Sequence, residues 1–277
     1  MNKILTILQP KGGVGKTSLA HALANHAAES RPLRVLAIDT DPSGNLTTLM
    51  RQQHPNGDTP TPNQATPSFA TLCQNPENPD WDSLERPAQP NPTQAHASAE
   101  IRLIPGGGGA DIDKSSDLRD LLRLRKYLAT LEFDLAIIDS PGYVANTMYA
   151  AIAASTHCVS PLDVSNHSIA EIPTIDEILD TINQSLRAAD PIAHIGFLPF
   201  LTAPGTRAQT IFDQQINESP HASRLIPGPG IRRSAGAAAA LAKGHTVWRG
   251  RKNPQTKRDG ADYRETLNEI LNRMKIK

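Results

Sequence analysis

Cysteine is scarce in this 277-residue chain: Cys73 and Cys158 are the only two. Two thiols cannot build a disulfide framework or a cysteine cluster site, so they read as loop or core residues in a reducing compartment. No uninterrupted apolar run reaches about 18 residues, so no membrane-spanning helix is expected. The opening "MNKILTILQP" has too short an apolar stretch for a secretory leader and runs directly into a glycine-rich loop, which makes a cytoplasmic location the expectation. Net charge is lacking as well, because 28 Lys+Arg balance 28 Asp+Glu. The balance hides a division. Residues 207–277 carry 14 basic and 6 acidic side chains, a net of +8, and residues 1–206 carry the opposite net of −8. Such asymmetry points either to a polyanion-binding face or to a solvated surface rich in lysine and arginine.

What is present is enough for a core. Apolar residues make up 38% of the chain, and its length suits one large α/β domain or two small ones. Short apolar runs at 4–8, 33–39, 101–105, 133–139, 157–162 and 193–201 read as strands, several of them apolar throughout. Helical patterns fall between them at 16–29, 117–131, 146–155, 169–188 and 207–218. This alternation predicts an α/β fold with a mainly parallel twisted sheet and helices on both faces. Residues 52–98 interrupt it with nine prolines and many Asn, Gln and Thr. Proline lacks an amide hydrogen and opposes ladders, so this stretch reads as a mostly irregular surface insertion, with Phe69, Leu72 and Trp81 able to dock one short helix. "LIPGGGGADI" (103–112) is a strand followed by a glycine-rich turn, and without a following Lys-Ser/Thr it reads as a flexible connection.

The loop "PKGGVGKTS" (10–18) lacks one residue that the usual phosphate-loop pattern demands. G-x-x-x-x-G-K-S/T needs glycine six residues before the lysine, and Pro10 stands there, followed by a second lysine, Lys11. The context still fits: an apolar strand enters the loop and "KTSLAHALANHAAE" leaves it as a helix. Gly12, Gly13 and Gly15 allow tight turns and close approach to phosphate oxygens, and Val14 lies within the same cradle. Backbone N–H groups at the helix start, reinforced by the helix dipole, favour an anion. Lys16 can neutralise β/γ-phosphate charge, Thr17 can bring its hydroxyl to Mg²⁺, and Ser18 is a candidate for the α-phosphate. Two further strand ends carry carboxylates: "VLAIDTDPSGN" with Asp39 and Asp41, and "FDLAIIDSPG" with Asp139. In a parallel sheet these gather where ligands bind, either to hold a metal and orient water or to cap turns.

These segments together resemble the ParA/MinD-type deviant Walker A ATPases. "KGGVGKTS" is similar to that family's loop, "DTDPSGNLTT" to its D-x-D-P-Q-G-N-x-T segment with Ser43 for Gln, and "IIDSPG" to its Walker B end with Gly142 for the second proline. "RLIPGG", "VSPLDVSNHSIAEI", "GIRRSAGAAAALAKGHTVW" and "KRDGADYRETLNEIL" continue the likeness over nearly everything except 52–98. The resemblance implies a P-loop NTPase fold as a single ATPase domain over 1–277, with ATP and Mg²⁺ as ligands. It implies that Lys16 binds the β/γ-phosphates, Thr17 binds Mg²⁺, Asp139 holds Mg²⁺ through water, Asp39 supports the metal region and Asp41 positions the attacking water. It implies further that Lys11 reaches across an ATP-dependent homodimer to the partner's nucleotide.

The C-terminal third separates branches of the family. A MinD-like member, which positions membrane or protein cargo, ends in a basic amphipathic membrane helix. Here Tyr263, Leu267, Ile270, Leu271 and Met274 form a stripe with acidic residues among the basic ones, which predicts a core-packing helix and no membrane. The resemblance is closest to ParA-like partition ATPases. It implies a nucleoid-associated protein that binds DNA non-specifically as an ATP dimer and works with a ParB-like centromere-binding adaptor in plasmid or chromosome partition. Arg232, Arg233, Arg249, Arg251 and Lys252 are the candidate DNA contacts, since phosphate binding needs only clustered basic side chains. With Met1 so near the loop, no N-terminal DNA-reading extension is expected. The Glu usual in the family's S-x-x-x-E-A-type segment is alanine in "SAGAAAALA", and "FLPFLTAPGT" departs from the strand end that helps recognise adenine. A non-hydrolysing, nucleotide-gated interaction protein is the remaining alternative.

Overall fold

The continuously apolar runs become strands covered on both sides. In the computed structural model, which describes residues 2–52, 68–74, 81–87, 99–107, 121–249 and 253–276, these are β1 (Lys3–Ile7), β2 (Arg34–Asp39), β3 (Glu100–Ile104), β4 (Leu135–Asp139), β5 (His157–Leu162), β6 (Ala193–Thr202) and β7 (Ile231–Arg232). They pair in the order β3-β2-β4-β1-β5-β6-β7, with every pairing parallel. Alternate residues of one strand feed opposite layers. Ile4, Leu36, Ile38, Ala136 and Ile138 join one core, while Leu5, Ile7, Val35, Ala37, Leu135 and Ile137 join the other.

The first core is closed by α4 (Arg123–Leu128), α5 (Asn146–Ala154) and α7 (Ile172–Leu186), and the second by α1 (Lys16–Ser30) and α10 (Pro254–Arg273). The remaining helices are α2 (Asn45–Arg51), α3 (Phe69–Gln74), α6 (Asn166–Ala170), α8 (Arg207–Glu218) and α9 (Ala235–Leu241). The helix expected over 117–131 appears only as α4 within the described residues, and the pattern over 169–188 splits into α6 and α7 around Glu171. Pro173 explains the restart, because proline is accommodated in the first helical turn.

The stripe on α10 faces inward: Tyr263, Leu267, Ile270, Leu271 and Met274 are all buried. Among the described residues no helix is long and apolar enough to cross a membrane. Within the insertion, Phe69 and Leu72 are buried as α3 docks, and the Phe69 amide donates to the Pro105 carbonyl. Its return leg lies along the free edge of β3, where Glu85 forms an antiparallel bridge with Leu103. Arg51 grips the Glu85 carboxylate through two hydrogen bonds of 2.7–2.8 Å. The Arg102 guanidinium, 1% exposed, donates to the Leu84 carbonyl and to Asp82 and Glu100. Covering an edge in this way removes a template for unwanted strand pairing.

Candidate functional site

β1 lies at the centre of the sheet, and its C-terminal end delivers the chain into the loop 8–15 that starts α1. Gly15 takes φ 93° as the helix N-cap, where it offers no side-chain cap to the first-turn amides. A Cβ at Gly15 would overlap the Phe200 ring, so both backbone conformation and packing require glycine. An uncapped helix N-terminus behind a glycine loop is a ready anion cradle. Gly12 and Gly13 are exposed at its rim, Val14 is buried beneath it, and Thr17 and Ser18 are partly exposed at the helix start.

Lys16 is buried at 7% exposure and donates to the Lys11 carbonyl over 2.9 Å. Burial lowers its pKa, and the charges of Asp139 and Asp41 oppose that shift. The turn after β4 packs directly on this loop. A Cβ at Gly142 would stand 3.1 Å from the Gly12 Cα and 3.5 Å from the Lys16 ammonium.

The strand-end carboxylates are placed by register. Asp39 pairs with Asp139 across β2 and β4, and Asp139 pairs with Ile7 across β4 and β1. Asp139 is fully buried, and neither of its oxygens has a hydrogen-bond partner among the described residues. Burial, with the Asp39 charge beside it, pushes its pKa up to about 8. The Thr17 hydroxyl and the Lys16 charge pull the other way, although the Thr17 contact falls short of a hydrogen bond. An unsatisfied buried carboxylate next to a threonine hydroxyl and a phosphate cradle suits Mg²⁺, which takes one or two carboxylates and completes its shell with phosphates and water. Among the described residues no group of three or more His, Cys, Asp or Glu side chains is placed to hold a metal ion together.

Asp39 is differently engaged. One oxygen accepts the Asp41 amide at 3.1 Å, and the other accepts the Thr47 amide at 2.8 Å and hydroxyl at 2.7 Å. Gly106 donates in turn to the Thr47 hydroxyl, and a Cβ on Gly106 would sit 2.7 Å from the Asp39 carboxyl carbon. Asp39 therefore ties α2 and the turn after β3 to the site. Asp41 lies at the surface of the same turn, its Oδ1 accepting the Ser43 amide at 2.9 Å and hydroxyl at 2.8 Å.

Lys11 points to the neighbouring strand end. Its ammonium lies 3.2 Å and 3.3 Å from the two oxygens of Asp163 and 3.1 Å from the Ser165 hydroxyl. Ser165 caps α6 and also donates to Asp163, as does Ser168. Burial alone would raise the Asp163 pKa, but these hydroxyls and Lys11 hold it below the ordinary value. Neither Asp163 nor Ser165 was singled out by sequence reasoning. The signal was available: Asp163 follows the end of β5, as Asp39 and Asp139 end β2 and β4.

Beside the loop opens a cavity of about 210 Å³, lined by Gly15, Ser18, Phe200, Arg233, Thr246 and Tyr263, among others. Arg232 also borders it but is paired with Asp262 at 2.8 Å. Arg249 is paired with Glu29 at 2.9 Å. Arg233 is exposed, while Arg251 and Lys252 lie outside the described residues.

Comparison with known proteins agrees with this geometry. A protein-family model described as an AAA domain matches residues 2–189. IncC of Escherichia coli is 28% identical over 275 residues, spanning 97% of this chain and 70% of its own. Chromosome partitioning protein ParA of Myxococcus xanthus is 27% identical over 190 residues, spanning 67% of this chain and 61% of its own. Among solved structures, cobyrinic acid a,c-diamide synthase from Mycobacterium smegmatis, bound to an ATP analogue and magnesium, superposes with a TM-score of 0.71 at 18% identity, covering 99% of this chain and 96% of its own.

Proposed function

Because the chain belongs to the AAA-domain family as one of its ParA/MinD-type partition ATPases, we propose that it binds Mg²⁺–ATP in the loop between β1 and α1, dimerises on it and hydrolyses it. We propose the partition role for the protein as a whole: the ATP dimer binds DNA non-specifically and moves a plasmid or chromosome through a centromere-binding adaptor.

The observation that carries this reading is the buried, unpaired Asp139 carboxylate facing Thr17 and Lys16 at an uncapped helix start. Lys16 is the phosphate-binding cation, and the Gly12–Ser18 backbone wraps the phosphates. Thr17 and Asp139 hold the metal, which when bound offsets phosphate charge. Asp39 supports that region through Thr47, which donates twice to Oδ2, and through the Asp41 amide on Oδ1. Asp41 orients the attacking water, and the cavity beside Phe200 takes the nucleoside. Lys11 completes the partner's site in the dimer.

For DNA, the exposed cations are the stronger candidates. Arg233 is exposed beside Ser234, whose hydroxyl donates to Asp259 on α10, and Lys257 and Arg258 of α10 are exposed as well. Arg232 and Arg249 already neutralise Asp262 and Glu29 and contribute less. The deciding experiment is an electrophoretic shift of unrelated DNA with ATP, ADP or no nucleotide, run beside a phosphate-release assay. A shift that ignores nucleotide, or the absence of phosphate release, refutes the reading.

A further inference from the structure

We propose that Asp163 is a positioning residue that holds Lys11 within its own subunit, and that phosphate capture by Lys16 loosens this hold. The inference rests on the dimerising reading above and assigns a regulation to that site.

Three contacts define the device. The Lys11 ammonium is bound by both Asp163 oxygens and by Ser165, at 3.1–3.3 Å. The pair is largely shielded, with side chains 29% and 19% exposed. The Lys11 carbonyl, on the same residue, accepts the Lys16 ammonium at 2.9 Å. Residue 11 is thus fixed at its side chain by the turn between β5 and α6 and at its backbone by the phosphate-binding lysine.

A side chain so held cannot serve a neighbouring subunit until it is released. Phosphate oxygens compete for the Lys16 ammonium, since a charge-assisted bond to an anion is stronger than one to a neutral carbonyl. When Lys16 turns to phosphate, the Lys11 carbonyl loses its donor and the backbone of residue 11 is freed to move. Asp163 is then the remaining restraint. Asp163 Oδ1 keeps the Ser165 and Ser168 hydroxyls, and Oδ2, whose bond is to Lys11, is left on a side chain that is 19% exposed, so giving up Lys11 does not strand a fully buried, bare carboxylate. Ser165 also caps α6, so release changes one ligand of that cap and leaves its bond to the Ser168 amide in place.

A partly buried ion pair of this kind is worth about threefold in an equilibrium constant. Each dimer requires two lysines to leave, so the penalty enters squared, as about tenfold.

The test uses the full-length protein with Asp163→Asn, which removes the charge but keeps acceptors for the two serines. First, Lys11 is labelled by an amine-reactive ester without nucleotide and quantified by mass spectrometry. The variant should label at least about threefold faster, with other lysines unchanged as the folding control. Second, the monomer–dimer equilibrium with ATP is followed by light scattering, where the variant should dimerise about tenfold more tightly. Unchanged Lys11 labelling, or dimerisation equal to or weaker than wild type, overturns the hold. If wild type and Lys11→Ala dimerise alike with ATP, the parent reading fails and this inference falls with it. If only Lys11→Ala loses the dimer while Asp163→Asn matches wild type, the parent reading stands and the hold alone is rejected.

Discussion

Lys16 and Lys11 are joined across the loop by the hydrogen bond from the Lys16 ammonium to the Lys11 carbonyl. The generic phosphate-loop lysine and the lysine that marks the deviant loop thus form one unit. Their separate variants should nevertheless fail differently. Lys16→Ala removes a charged phosphate contact and should weaken ATP binding by about 100-fold. Lys11→Ala should keep binding while losing dimer and turnover. Titration calorimetry with ATP, light scattering and phosphate release on both variants separate the two.

Asp41→Ala should lower turnover by about 100-fold or more and leave an ATP dimer that persists. The Ser43 amide and hydroxyl fix one Asp41 oxygen, so the carboxylate is oriented by its own turn and its loss should spare folding. Phosphate release with an unchanged melting temperature is the expected pair of results. Normal turnover would remove Asp41 from the water-positioning role.

Gly15→Ala combines a left-handed backbone with a collision against Phe200. Destabilisation of about 2 kcal/mol or more is expected, together with loss of nucleotide binding. Phe200→Ala added to Gly15→Ala should relieve the collision but not the backbone strain. The double variant should therefore recover only part of the binding.

Salt dependence tests the DNA face. Arg233→Ala, Lys257→Ala or Arg258→Ala should each weaken ATP-dependent binding to any sequence and reduce the slope of log affinity against log salt by about one. Arg249→Ala should act mainly on stability, because it leaves partly buried Glu29 without its cation. Fluorescence anisotropy at several salt concentrations, with melting curves alongside, distinguishes the two outcomes.

His21 gives a pH signature. Burial holds its pKa down to about 4, against 6.5 in an unfolded chain. Between those values the unfolded state binds a proton that the folded state refuses. Its contribution to stability is therefore full above about 6.5 and is lost as pH falls towards 4. Asp139, raised by burial, acts with the opposite sign, so the differential measurement is the informative one. His21→Asn should lose less melting temperature between pH 7 and pH 5 than wild type does.

Much of this was legible because it was local. Apolar runs marked β1 to β6 to within two residues, and the glycine loop with its following helix announced the anion cradle. The inward stripe of α10 was visible as spacing alone. β7 escaped because a two-residue strand has no period, and α2 because its start is held by Asp39, which precedes it on another element. The charge cluster of the last third was read as one face. Partners distant in sequence divide it, since Arg249 meets Glu29 of α1 and Arg232 meets Asp262 of α10. The Lys11–Asp163 pair spans 152 positions and exists only because β1 and β5 are neighbours in the sheet.

The clasp of Arg51 on Glu85 and of Arg102 on Leu84, Asp82 and Glu100 also bears on how this protein can change. Both shoulders of the insertion are fastened to the β3 side of the sheet, away from the loop lysines. Lengthening the stretch between them costs only about 0.6 kcal/mol per doubling of its residues. The chain can therefore vary that stretch in length over generations while the two clasps and the glycine loop stay the same.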